Sequence, residues 1–101
     1  MEESQKESRR FYIIVDSNDN VATALRELPR GSRIFISERS NPVILSERIP
    51  FGHKFAVESM EKGEEVVKFG EVIGIAKTSI TTGEHVHVHN VKSLYSMGKV
   101  R

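Results

Sequence analysis

The chain has 101 residues, 38% of them apolar, with 15 Lys plus Arg against 14 Asp plus Glu, and neither Cys nor Trp. That length suits one compact domain without a second lobe, and the near-neutral charge gives no electrostatic case for nucleic acid. The missing Cys excludes disulfides, thiolate metal sites and a cysteine nucleophile, and no apolar run reaches the length of a membrane span, so the expected setting is the cytoplasm.

Residues 1–10 are polar and charged, lack the apolar core of a secretory signal, and read as a mobile leader. The run Phe11-Tyr12-Ile13-Ile14-Val15 has the β-branched and aromatic content of a buried strand. It ends at Asp16-Ser17-Asn18-Asp19-Asn20, whose side chains bond readily to nearby backbone in turns and helix caps. Val21, Ala24, Leu25 and Leu28 then fall at helical spacing before Pro29 and Gly31, which predicts one short amphipathic helix. Arg33-Ile34-Phe35-Ile36 and Val43-Ile44-Leu45 read as two strands of a hairpin turning near Asn41-Pro42.

A phrase recurs: apolar residue, two residues, Gly, two residues, apolar residue. It occurs as Leu28 to Ile34, Ile49 to Phe55, Met60 to Val66 and Ile80 to Val86. A glycine that accepts positive φ lets each phrase turn sharply into a strand. The spacing between phrases is irregular, which points to a small folded-over β structure instead of a solenoid. Gly70 and Gly74, set among strand formers, mark a bend or bulge and a further strand. After Asn90, the residues Val91, Leu94, Tyr95 and Met97 form a tail or docking strand that either packs back on the domain or meets a partner.

The richest stretch is Gly83-Glu84-His85-Val86-His87-Val88-His89-Asn90, which holds three of the chain's four histidines. As a strand it turns Val86 and Val88 one way and the imidazoles the other. Neighbouring imidazoles on such a face stand about 6.6 to 7 Å apart, close enough for two of them to converge on one ion or anion. Two readings stay open: an edge strand with a polar outer face, or a functional face of His85, His87 and His89. Gly52-His53-Lys54 sets an imidazole and an ammonium at a strand entrance, suited to acid–base work or to holding a carboxylate; a solvated turn explains them equally well. Capping accounts for Asp19 and Asn20. No phosphate loop, dinucleotide fingerprint or nucleophile elbow is present.

Asp19-Asn20-Val21-Ala22, Ile49-Pro50-Phe51-Gly52-His53-Lys54-Phe55-Ala56, Lys68-Phe69-Gly70 with Ile73-Gly74, and Gly83 to Asn90 stand in the order found in the altronate/galactarate dehydratase family, which the chain resembles from about Phe11 to Leu94. Two departures stand out: Asp16 where the family often has His or Asn, and Phe69 where Tyr is usual. The resemblance implies a mainly β SAF-like β-clip over residues 11–94, with the short helix, a leader at 1–10 and a tail at 95–101. It also implies the small subunit of a sugar-acid hydro-lyase, inactive without a large catalytic subunit and giving a 2-keto-3-deoxy acid. The implied residues are His53 and Lys54 as catalytic, Asp19, Asn20 and Asn90 as substrate-binding, and His85, His87 and His89 as ligands of a divalent metal, iron, manganese or zinc. A related sulfolactate sulfo-lyase subunit, or a non-enzymatic carbohydrate- or protein-binding module, are the alternatives.

Overall fold

The computed structural model describes residues 11–36, 39 and 41–94, and the expected leader and tail, with Tyr95 and Met97, lie outside them. Among the described residues nine short strands form three small antiparallel sheets: β1 (Tyr12–Ile13), β2 (Val21–Ala24), β3 (Arg33–Ile34), β4 (Val43–Ile44), β5 (Lys54–Ala56), β6 (Glu65–Lys68), β7 (Glu71–Ala76), β8 (His85–Val86) and β9 (Val91–Ser93). The largest sheet has the order β1-β2-β5-β8, β3 pairs with β4, and the third sheet runs β6-β7-β9. The architecture is mainly β, as a SAF-like β-clip requires.

The four glycine phrases turn as their spacing predicts. Gly31, Gly52, Gly63 and Gly83 all have positive φ. The amide after each glycine donates to the carbonyl three residues back: Ser32 to Pro29, His53 to Pro50, Glu64 to Glu61 and Glu84 to Thr81. Glycine at the third position of such a turn supplies the left-handed conformation that a side chain resists. The apolar residues opening the phrases pair off, Leu28 with Ile49 and Met60 with Ile80. The four turns thereby work as two pairs, one for each of the two apolar cores. Tyr12, Ala22, Leu45 and Phe55 belong to the first core, and Val21, Ala56, Val66 and Val86 to the second.

The predicted helix is replaced by β2. Helical spacing would put Leu25 inside and Ala22 outside, yet Leu25 is 42% exposed and Ala22 only 1%. Pairing with β1 on one side and β5 on the other imposes a period of two, so Val21 faces the second core while Ala22 and Ala24 face the first. Sheet pairing has overridden a weak local preference. Among the described residues there is no helix, and so none long and apolar enough to cross a membrane.

The bend expected around Gly70 and Gly74 is the β6–β7 hairpin, whose register slips between Val66 and Val67. A side chain at Gly74 would collide with the Lys92 carbonyl, so the glycine lets β9 lie against β7. Val91 packs against the second core.

Candidate metal centre

His53 sits at the exit of the Pro50–His53 turn, directly before β5, and β5 pairs with β8 so that Phe55 faces His85 across the strands. This brings together residues 32 positions apart, with His53 Nδ1 and His85 Nε2 separated by 2.9 Å. The His53 ring stacks on His87 at 4.1 Å between centroids and on His85 at 5.1 Å. One ligand nitrogen from each of His53, His85 and His87 lies within 4.8 Å of the others, and all three residues are half-buried.

The strand expected to run through His89 stops at Val86, and residues 87–90 form a turn. Asn90 makes that turn: its Oδ1 accepts the His87 amide at 2.9 Å and its Nδ2 donates to the His85 carbonyl at 2.8 Å. Val86 is buried as the alternation predicts, but Val88, placed on the turn, is 71% exposed. The same turn leaves His89 exposed and outside the three-nitrogen set, its ring tilted against that of His85 at 5.3 Å. Of the three histidines expected as ligands, the structure gathers His85 and His87 beside His53 and leaves His89 outside that cluster.

Burial, then the charges of His53 and His89, lowers the His85 pKa from 6.5, with Glu47 opposing, and burial with His53, Lys54 and His89 lowers that of His87. Neutral imidazole is the form that ligates. Three imidazole nitrogens suit a divalent ion of iron, manganese or zinc character and leave its remaining positions open. A tetrahedral ion about 2.05 Å from two nitrogens holds them roughly 3.3 Å apart, so the His53–His85 pair needs only a small opening to admit one.

The other expected site residues are distributed differently. His53 and Lys54 are consecutive; Lys54 shares its cross-strand row with Thr23 and Val86, whereas His53 meets the imidazoles. Burial and then the Lys68 charge pull the Lys54 pKa below 10.5. The polar atoms of Asp19, Asn20 and Asn90 are committed to backbone. Asp19 accepts from the amides of Val15, Asp16 and Gly70. Burial raises its carboxyl, but the amides of Asp16, Gly70, Val15 and Phe69 outweigh that and hold it below 3.8. Asn20 Nδ2 donates to the Glu65 carbonyl while its Oδ1 accepts the Val67 amide. Asp19-Asn20 and Lys68-Phe69-Gly70 are thus two halves of one joint between β2 and the β6–β7 hairpin. Asp16 lines a shallow cleft with Arg39 and Glu58, where Arg39 pairs with Glu58 at 2.7 Å and donates to the Asp19 carbonyl.

Residues 10–94 match the altronate/galactarate dehydratase SAF domain. The chain is 39% identical to an altronate dehydratase of Escherichia coli strain K12 over 82 residues, covering 81% of this chain and 16% of that protein. An altronate dehydratase of Bacillus subtilis strain 168 is 38% identical, with the same coverage. The chain thus spans about one-sixth of the length of these relatives. It is 32% identical to a (2R)-sulfolactate sulfo-lyase subunit alpha of Chromohalobacter salexigens, covering 81% of this chain and 93% of that subunit.

Proposed function

Because this chain belongs to the altronate/galactarate dehydratase family through its SAF domain, we propose that it is the small subunit of a sugar-acid hydro-lyase whose large subunit completes the active site. The near-complete coverage of a relative that is itself a subunit, the sulfolactate sulfo-lyase subunit alpha, supports a subunit role. The observation that carries the reading is the convergence of His53, His85 and His87, which lie in or beside two strands, β5 and β8, that meet only in the folded chain.

The reaction is β-elimination from a 2-hydroxy acid. The proton on the carbon next to the carboxylate is removed, the β-hydroxyl leaves as water, and the resulting enol becomes a 2-keto-3-deoxy acid. His53, His85 and His87 would hold a divalent ion, which would supply Lewis-acid polarisation of substrate oxygens. The chain's own task is positional. The Asn90 turn orients His85 and His87, burial and mutual repulsion keep them unprotonated, and Glu47 fixes the entry to β8 by accepting the His85 amide at 3.0 Å. His53 serves as a ligand here, and the base that removes the proton belongs to the partner, because a small open domain offers no water-excluding cavity for that step.

Purifying the chain with and without co-expressed dehydratase-like large subunits, then assaying a panel of sugar acids for 2-keto-3-deoxy products, tests this. Activity should require both subunits; turnover by the chain alone refutes the subunit role. The sulfo-lyase relative supports a second reading, a carbon–sulfur lyase subunit with a sulfo leaving group. Including sulfolactate in the panel separates the two. A stable complex that acts on none of these acids supports a binding module instead.

A further inference from the structure

β2, β5 and β8 are antiparallel neighbours, so the end of β2, the start of β5 and the end of β8 all lie at one end of their sheet. The imidazole cluster sits there, because His53 directly precedes β5 and His87 directly follows β8. Three exposed apolar side chains sit there as well. Leu25 follows β2, Phe51 lies in the turn before β5 and is 68% exposed, and Val88 lies in the turn after β8 and is 71% exposed. The His53 and His87 rings stack at 4.1 Å. Phe51 is two residues from the first and Val88 one residue from the second, so each Cα lies within about 7 Å of that of its histidine.

Both turns are held firmly. The His53 amide closes the first on the Pro50 carbonyl at 3.0 Å, and the Gly52 amide ties it to β2 through the Ala24 carbonyl at 2.8 Å. Asn90 closes the second on the His87 amide, and the Val88 carbonyl accepts Lys77 Nζ at 3.0 Å. Apolar side chains held in water contribute little to the fold that carries them. Fixed in place on rigid turns, they lose little conformational freedom when a partner covers them. Exposed aromatic anchors of this kind are what the centres of protein interfaces draw on.

We propose that this end of the sheet, with Phe51 and Val88 as anchors and Leu25 at its rim, is the face on which the large subunit docks. The identity of the partner rests on the small-subunit reading above. The altronate dehydratases of Escherichia coli and Bacillus subtilis carry most of their length outside the matched segment, and a body of that kind is the occupant the face is assigned to. Seated there, it covers the half-buried imidazoles from their open side. The apolar contacts beside them then keep water from the cluster, which the small chain by itself does not.

The test is co-expression of the full chain with dehydratase-like large subunits, followed by isothermal titration and amide hydrogen exchange on the pair that co-purifies. Phe51→Ser should weaken that complex about tenfold or more and Val88→Ser about fivefold, while Phe51→Asp with Val88→Asp should abolish it at micromolar concentration. Val15 is 66% exposed but follows β1, which runs away from this end, so Val15→Ser should leave affinity unchanged. In the wild-type complex, exchange should slow at residues 51–53 and 87–90 and stay unchanged at Val15, a readout that needs no variant to fold. Unaltered affinity in both Phe51→Ser and Val88→Ser, or no protection at these two turns, overturns the docking face and leaves the subunit reading standing. Co-purification with no large subunit overturns both. Self-association of the free chain that Phe51→Ser abolishes assigns the face to a second copy and overturns the proposal.

Discussion

His53 Nδ1 and His85 Nε2 lie 2.9 Å apart, so one ring donates to the other and the pair shares a single proton. On the metal-centre proposal, His53 and His85 would hold a divalent ion through these two nitrogens, the shared proton moving to the far nitrogen of its ring, and His87 would be the third ligand. His53→Ala should therefore lower Co2+ or Zn2+ affinity by about 100-fold or more, and His87→Ala similarly, whereas His89→Ala should leave it within a few-fold. Isothermal titration on the folded variants measures this. Affinity that survives His53→Ala but collapses in His89→Ala would restore the contiguous ligand set expected from the sequence.

The metal-free domain should become less stable in mildly acidic solution. His85 and His87 have folded-state pKa values below 6.5, so as pH falls the unfolded chain takes up their protons first. Their contribution is complete above about pH 6.5 and is lost as pH drops from there through the folded values. The urea midpoint in EDTA should fall between pH 7.5 and pH 5, and His85→Gln with His87→Gln should flatten that slope. A slope unchanged by the double substitution would mean that other groups set the pH dependence.

Asp19→Asn should destabilise the fold by about 2 to 3 kcal/mol, because an amide presents donors to backbone N–H groups that now meet a carboxylate. The Asp19 carboxyl is held below 3.8 when folded, so this support is present above the unfolded value and disappears as pH falls through the folded one. Chemical denaturation at pH 7 and pH 3 should show a large difference between wild type and variant at the first and a small one at the second. Equal differences at both would disconnect the effect from the charge.

Gly83→Ala and Gly63→Ala have nearly the same φ to accommodate, +94° and +92°, but different surroundings. A Cβ at Gly83 would clash with the Ile44 carbonyl, whereas one at Gly63 meets nothing within 4 Å. Gly63→Ala should cost about 1 to 2 kcal/mol for the left-handed backbone alone. Gly83→Ala should cost roughly 1 to 2 kcal/mol more, and should also shift β8 and weaken metal binding. Comparable melting temperatures would show that the Ile44 contact relaxes freely.

What could be read from the sequence was what depends on near neighbours. The Pro50–His53 and Thr81–Glu84 turns are legible because a glycine two residues after Pro50 or Thr81 settles their geometry locally. The Arg33–Ile34 and Val43–Ile44 pairing was legible for the same reason. The stretch from Val21 to Leu28 was not, since Val21, Ala24, Leu25 and Leu28 satisfy a helical stripe until two neighbouring strands claim the segment. His85 and His87 were visible as a pair, but the third imidazole of the cluster, His53, reaches them only through the β5–β8 pairing. The turn that removes His89 had a local sign in Asn90, whose side chain can accept an amide three residues back.

The β1-β2-β5-β8 order also governs when the site can exist during folding. Its strands come from positions 12–13, 21–24, 54–56 and 85–86, so neighbours in space are drawn from distant parts of the chain. Closing such long loops precedes any contact that rewards it, and this makes non-local sheets slow to form. The imidazoles of His53 and His85 come together only once β8, from the last third of the chain, has docked on β5. A nascent chain that has left the ribosome only as far as Ala76 therefore holds one histidine and no cluster, and, on the metal-centre proposal, a Co2+ absorption band during refolding would time the arrival of β8.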